Sequence, residues 1–274
     1  MLKLGWFATA RGQTSPRLLN VVQDAILRGE LDARIEVVFC NREPGEDENS
    51  DRFLELVRSY DIPLVCYSYS RYRRQQGQPP LRPGEPLPSW RSDYDREIIR
   101  LLEPYPFDLG VLAGYMLVAS EVMCQRYDLL NLHPAAPGGP TGTWQQVIWQ
   151  LVEQRAERSG VMMHLATSKL DAGPVVTYCV YSLRSPTFAQ LWQEVEGRSL
   201  SDIQASEGEN NWLFQEIRRQ GVARELPLLL ATVRAFAQGR IRIENKRVVD
   251  GAGNVIAGYD LTEEIESTVA AAQA

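Results

Sequence analysis

The sequence predicts an α/β fold: a mostly parallel, twisted sheet with helices on both faces. Three observations predict it. Short runs rich in β-branched and aromatic residues alternate, through the first half of the chain, with segments whose apolar residues recur every three or four positions. Polar turns rich in Gly, Pro, Asn and Ser separate them, and strands joined through helices pair in parallel. At 274 residues, 44% of them hydrophobic, the chain can bury enough surface to cover both faces of such a sheet.

The first strand is residues 2–8, followed by a polar turn at 9–15. A helix then starts with Ser15 as N-cap and Pro16 in its first position. Leu18, Leu19, Val22, Ala25 and Ile26 keep helical spacing, and Gly29 stops the helix. Residues 33–40 form the second strand. A polar stretch leads into a helix carrying Phe53, Leu54, Leu56 and Val57, and 62–67 is the third strand. A Pro-, Gly-, Gln- and Arg-rich insertion at about 68–90 sets Arg71, Arg73 and Arg74 among Tyr67, Tyr69 and Tyr72. It reads either as a solvated surface segment or as a basic lip on an anion site. Ser92-Asp93-Tyr94-Asp95 has the pattern of a capping box before Ile98, Ile99, Leu101 and Leu102. Strands follow at 107–115, 129–133 and 160–166. Trp144, Val147, Ile148, Trp149, Leu151 and Val152 mark the core face of a helix between the last two.

A second insertion, about 185–220, carries Trp192, Trp212, Leu213 and Phe214 on one or two helices. Residues 226–237 form a further helix, and 240–243 with 247–249 a hairpin. Residues 1–260 read as one domain, and 261–274 as a tail that frays, because 267–274 shows no core-forming pattern.

The net charge of −6 argues against broad nucleic-acid binding. Cys40, Cys66, Cys124 and Cys179 show no metal spacing and read as reduced, buried thiols. No run is long enough to span a membrane, and the N-terminal apolar run is too short for a signal peptide. A cytoplasmic protein is the expectation.

The chain holds only two histidines. One stands in Asn131-Leu132-His133-Pro134, at the carboxyl end of an apolar strand, where ligands of α/β sheets bind. Asn131 and His133 lie two residues apart and share a face. Leu170-Asp171-Ala172-Gly173-Pro174 supplies a carboxylate from a later loop. Singly, each has a bland reading: a strand-end amide, a hydrogen-bonded core histidine, a turn aspartate. Together they can stabilise an oxyanion and move a proton, which points to acyl transfer.

These motifs carry a resemblance. In order, Tyr94-Asp95-Arg96-Glu97-Ile98, Val111-Leu112-Ala113-Gly114-Tyr115-Met116, Asn131-Leu132-His133-Pro134 and Leu170-Asp171-Ala172-Gly173-Pro174-Val175 resemble the folate-dependent formyltransferases. The similarity is strongest to the branch acting on glycinamide ribonucleotide in purine synthesis. It implies a Rossmann-like formyltransferase fold and 10-formyltetrahydrofolate as co-substrate. It also implies transfer of the formyl group to a small-molecule amine, a nucleotide or sugar amine among them, in one-carbon metabolism. No metal is implied, and a homodimer is compatible.

The resemblance makes Asn131, His133 and Asp171 the catalytic set. It places folate against Met116, Leu117, Val118, Ala166, Thr167 and Leu170, with Arg91 either at the folate tail or a solvated helix-start arginine. Leu117 stands where relatives commonly have Arg. Arg11, Gly12, Gln13, Thr14 and Ser15 match the turn that binds the acceptor's phosphate, but replace its Gly-x-Gly-Ser-Asn pattern. An ordinary helix start is the alternative reading. Val222 or Ala223 falls where relatives have an acidic residue for the ribose hydroxyls. His164 matches a histidine of relatives and is expected to support the site.

Two other functions fit these residues. One is a hydrolase releasing formate from 10-formyltetrahydrofolate, since water needs no recognition loop. The other is a non-catalytic folate-binding protein, which has no need of Asn131, His133 and Asp171. Transfer to initiator tRNA fits poorly with an acidic chain.

Overall fold

The structure is a computed structural model describing residues 1–81 and 85–273. Its first half alternates strands and helices as expected: β1 (Leu2–Ala8), α1 (Thr14–Leu27), β2 (Ala33–Cys40), α2 (Glu48–Ser59), β3 (Leu64–Cys66), α3 (Tyr69–Gln75), α4 (Ser89–Leu102), β4 (Leu109–Leu112), α5 (Glu121–Arg126) and β5 (Leu129–His133). Of these, α3 and α5 are helices that the sequence does not reveal. The second half adds α6 (Trp144–Glu153), β6 (Arg158–Leu165), β7 (Val175–Ser182), α7 (Pro186–Glu194), α8 (Leu200–Ser206), α9 (Trp212–Ala237), β8 (Ile241–Glu244), β9 (Arg247–Asp250), β10 (Tyr259–Asp260) and α10 (Thr262–Gln273).

An eight-stranded sheet runs in the order β10-β7-β6-β5-β4-β1-β2-β3. Neighbours are parallel except that β6 runs antiparallel to both β5 and β7. Alternation along β1 sends Leu4, Trp6 and Ala8 into a core with α1, α2, α9 and α10. Phe7 goes to the other face, against Tyr94, Ile98 and Met123 of α4 and α5. Chain order reverses at β1, which lies between β2 and β4, so a crevice opens beyond the carboxyl ends of β1 and β4.

The loops flanking that crevice are bonded to each other. Thr9 N–H donates to the Gly114 carbonyl at 3.2 Å, Met116 N–H to Thr9 Oγ1 at 2.8 Å, and Ser15 Oγ to the Ala113 carbonyl at 2.8 Å. Gly114 has φ +72°, and a Cβ there would lie 2.5 Å from Ser15 Oγ, so the turn needs glycine.

Several sequence expectations are corrected. Helix α1 starts at Thr14, before the expected Ser15 cap, and Gln13 in the N-cap position makes no side-chain cap bond; the Ser15 hydroxyl is buried on the Ala113 carbonyl instead, and Pro16 still lies in the first turn, where its missing N–H costs nothing. Helix α4 starts three residues before the Ser92 box, and Asp95 is fully buried against Arg91 instead of lying exposed in a first turn. The insertion after β3 lies on the surface, as one of its two readings has it, but opens with a short helix, α3, none of whose residues is buried: Arg71 pairs with Glu43, Arg73 donates to the Gln78 carbonyl, and the preceding Tyr67 stacks on Tyr94 at 5.2 Å. Its residues 82–84 lie outside the described residues, as does Ala274.

The 185–220 segment forms α7, α8 and the first turns of α9, whose Phe188, Ile203, Phe214 and Ile217 pack on Val147, Ile148 and Leu151 of α6. Helix α9 passes through Pro227 without ending, because apolar residues on both sides of it are buried. The tail does not fray. It forms α10, with Ile265 and Val269 buried beside α9, and Glu266 pairs with Arg224 at 2.6 Å. Its apolar positions, four apart, are too few to reveal a helix by periodicity, and the partner surface is what orders it. The predicted hairpin is present as β8–β9.

Candidate active site

Strand β5 ends in Asn131-Leu132-His133 beside the antiparallel β6, whose register sets Asn131 opposite His164. Directly opposed side chains share a face, and Asn131 Nδ2 lies 3.1 Å from His164 Nε2. Asp171 reaches the same point from the loop between β6 and β7. Its backbone is left-handed, with φ +50°, a conformation Asp tolerates better than most residues. A Cβ on the nearby Gly173 would lie 1.7 Å from the Leu165 carbonyl oxygen, so only glycine lets this loop return so close to β6.

The Asp171 carboxylate bridges two imidazoles. Its Oδ2 lies 3.6 Å from His133 Nδ1 and its Oδ1 3.6 Å from His164 Nε2, and the Asp171 side chain is only 5% exposed. Burial alone pushes the Asp171 carboxyl up. Contact with His164, the charge of His133 and the Gly142 amide at 3.4 Å outweigh it and hold the group below its ordinary value. His133 Nε2 lies 2.9 Å from the Pro140 carbonyl and His164 Nδ1 3.0 Å from the Leu165 carbonyl. A carbonyl only accepts, so both nitrogens carry hydrogen and the partners assign the tautomers. His133 therefore faces an acceptor at each nitrogen, an arrangement that the doubly protonated ring satisfies. The Pro140 loop is anchored in turn: Thr143 and Gln146 form a capping box at the start of α6, and Gln150 Nε2 donates to the Thr141 carbonyl at 3.1 Å.

Asn131, His133, His164 and Asp171 all line a cleft of about 680 Å³. One part of its wall is apolar, from Leu112, Met116, Leu117, Val118, Ala166 and Leu170, with Thr167 beside them. Met116 and Leu170 are 66% and 61% exposed, and large apolar side chains left open at a cleft mark a binding surface. Arg91 is not on this wall. It is buried, pairs with Asp95 at 2.9 Å and donates to the Val118 carbonyl at 2.8 Å. The expected ligand contact is thus corrected to a brace behind the 116–118 loop, because the acidic partner one helical turn along captures the guanidinium.

Another part of the wall is polar: Arg11, Gly12, Thr14 and Ser15 from the turn after β1, with Thr143, Trp144, Gln145, Arg218 and Glu225. Gln13 holds the N-cap position of α1 and does not line the cleft. Ser15, whose hydroxyl is committed to Ala113, has no hydroxyl hydrogen left for the cleft. Neither Val222 nor Ala223 lines it, and the acidic residue of this helix in the cleft wall is Glu225. Sequence reasoning missed Trp144, Arg218 and Glu225 as cleft residues. Arg218 and Glu225 are seven apart, two turns of one helix face, a signal visible only once α9 is known to run unbroken from Trp212 across residues 221–225. Among the described residues, no group of three or more His, Cys, Asp or Glu is placed to hold a metal ion, and no helix is long and apolar enough to cross a membrane.

Residues 14–183 match the family model described as "Formyl transferase". The chain is 32% identical over 180 residues to a phosphoribosylglycinamide formyltransferase of Escherichia coli, covering 63% of this chain and 70% of that protein. Among solved structures, a phosphoribosylglycinamide formyltransferase from Coxiella burnetii aligns with a TM-score of 0.64 and 20% identity, over 94% of this chain and 98% of that one. A formyltetrahydrofolate deformylase from Pseudomonas syringae aligns with a TM-score of 0.58 and 21% identity, over 91% of this chain and 65% of that one. At these identities, the two structures establish the fold.

Proposed function

The chain belongs to the formyl transferase family and is a formyltransferase, and from that premise we propose that it moves a formyl group from 10-formyltetrahydrofolate to the amine of a small polar acceptor, glycinamide ribonucleotide or a related nucleotide or sugar amine. The observation that carries this reading is the convergence of Asn131, His133 and Asp171 in one cleft lined by both apolar and polar residues. The apolar wall suits the faces of a fused heteroaromatic ring, and the loop backbone at 116–118 suits its polar edge. When bound, the folate supplies an activated formyl group.

The rest falls to the chain's own residues. Attack of an amine on the formyl carbon places negative charge on the formyl oxygen. Asn131 has two amide hydrogens; one faces His164, and the other is free to donate to that oxygen. His133 Nε2–H is held by Pro140, so its second donor is Nδ1–H, which the 3.6 Å separation from Asp171 leaves without a short hydrogen bond. Asp171, whose carboxylate faces that ring, passes a proton from the attacking amine toward the departing nitrogen, directly or through water. His164 Nε2 accepts from Asn131 and so orients that amide.

A second reading, hydrolysis of the same folate to formate, is favoured by the altered turn at 10–15, since water needs no recognition residues. Arg11, Arg218 and Glu225 in the cleft wall favour a charged acceptor instead. Incubating the protein with 10-formyltetrahydrofolate, with and without glycinamide ribonucleotide, separates the two. Loss of the formyl group only when the amine is present supports transfer, and equal loss without it sinks transfer in favour of hydrolysis.

A further inference from the structure

Two glutamines of α6 hold the loop against which the catalytic pair is set. The Asp171 Oδ2 that lies 3.6 Å from His133 Nδ1 also accepts from the Gly142 N–H at 3.4 Å. Two residues earlier, the Pro140 carbonyl lies 2.9 Å from the other nitrogen of the same imidazole. One short segment, 140–142, therefore touches both members of the pair, and its position sets how far apart they stand.

That segment is held by residues outside the cleft. Gln146 Oε1 accepts from the Thr143 N–H at 2.8 Å and packs on Gly142, where a Cβ would lie 2.5 Å from it. Gln150 Nε2 donates to the Thr141 carbonyl at 3.1 Å and to the Gln146 carbonyl at 3.2 Å. Neither glutamine lines the cleft, so neither meets a substrate bound there. Their helix is fixed in turn, because Val147, Ile148 and Leu151 are buried against Phe188, Phe214 and Ile217. Apart from Thr141, residues 134–142 are all Pro, Ala or Gly. Such a loop has few side chains with which to hold its own path, so the hold comes from the helix it leads into.

We propose that Gln146 and Gln150 are positioning residues for the reaction. Through Thr143 and Thr141 they keep the Gly142 amide on Asp171 and the Pro140 carbonyl on His133, and so set the catalytic geometry from α6. The proposal rests on the roles given above to His133 and Asp171, and it holds whether an amine or water takes the formyl group.

Steady-state kinetics of the full chain across pH, beside titration with 10-formyltetrahydrofolate, tests this. Gln146→Leu should lower kcat about 5- to 50-fold, since a misplacement of about 1 Å can cost about 10²-fold. Its Kd for 10-formyltetrahydrofolate should stay at the wild-type value. The acid limb of its pH profile should move to higher pH. Against burial, His164, His133 and the Gly142 amide together favour the Asp171 carboxylate, and with the amide displaced the group takes up its proton sooner as pH falls. Gln146→Glu keeps an oxygen for the Thr143 amide, as the capping-box pattern allows, and should recover most of the kcat above that limb. Gln150→Leu, which frees Thr141 instead, should show the same pattern more weakly, and is judged by the same criteria should Gln146→Leu not fold. Wild-type kcat or an unmoved acid limb in Gln146→Leu overturns the proposal. So does a loss that Gln146→Glu leaves in place, or one matched by weaker folate binding. A wild-type rate in His133→Ala sinks the role of the pair itself, whatever the glutamine variants do.

Discussion

His133 Nδ1 and Asp171 Oδ2 stand 3.6 Å apart, a buried ion-pair distance too long for a hydrogen bond. The gap leaves the imidazole's donor available while the carboxylate's field still acts on it. His133→Ala should therefore lower kcat/KM about 10²- to 10⁴-fold, and Asn131→Ala about 10²- to 10³-fold, with 10-formyltetrahydrofolate still bound. Steady-state kinetics beside a folate titration checks this; a wild-type rate in His133→Ala would refute the assigned role.

The Asp171 carboxyl is held below its ordinary value, so its folded pKa lies under the unfolded one of about 3.9. A depressed carboxyl stabilises the fold above its unfolded pKa, and that contribution disappears as pH falls through the folded value. Wild-type Tm should drop more steeply than that of Asp171→Asn as pH is lowered beneath about 4. Parallel Tm profiles for the two proteins would show that the carboxylate adds no stability.

Arg91 and Asp95 form a pair whose side chains are each 1% exposed. Removing one partner strands the other charge in the interior. Arg91→Ala should cost about 3–5 kcal/mol in urea unfolding. The brace on the Val118 carbonyl goes with it, so the KM for folate should rise even where the variant is folded.

Ile265 is 1% exposed, on α10, a helix that the sequence does not reveal. Ile265→Ala should destabilise by about 2–5 kcal/mol. A change within about 0.5 kcal/mol, the range of surface substitutions, would mean that α10 does not pack as described.

What the sequence reveals follows from where the information is local. The strand holding Asn131 and His133 is read to the residue, because an apolar run ending in His-Pro has few other uses. Asp171 is found because its neighbours Gly173 and Pro174 mark the loop. Partners distant in sequence are not visible: Ser15 looks like a helix cap until Ala113 takes its hydroxyl, and Arg91 looks free until Asp95 and Val118 claim it. Arg218 and Glu225 become neighbours only through a helix that runs unbroken from Trp212 across the stretch between them.

The bonds from Thr9 to Gly114 and Met116, and from Ser15 to Ala113, join the turn after β1 to the turn after β4. One turn lines the polar part of the cleft and the other the apolar part. A molecule that stills either turn lowers the entropy still to be lost when the other is filled. By linkage the gain is the same in both directions: whatever a donor adds to the acceptor's affinity, the acceptor returns to the donor's.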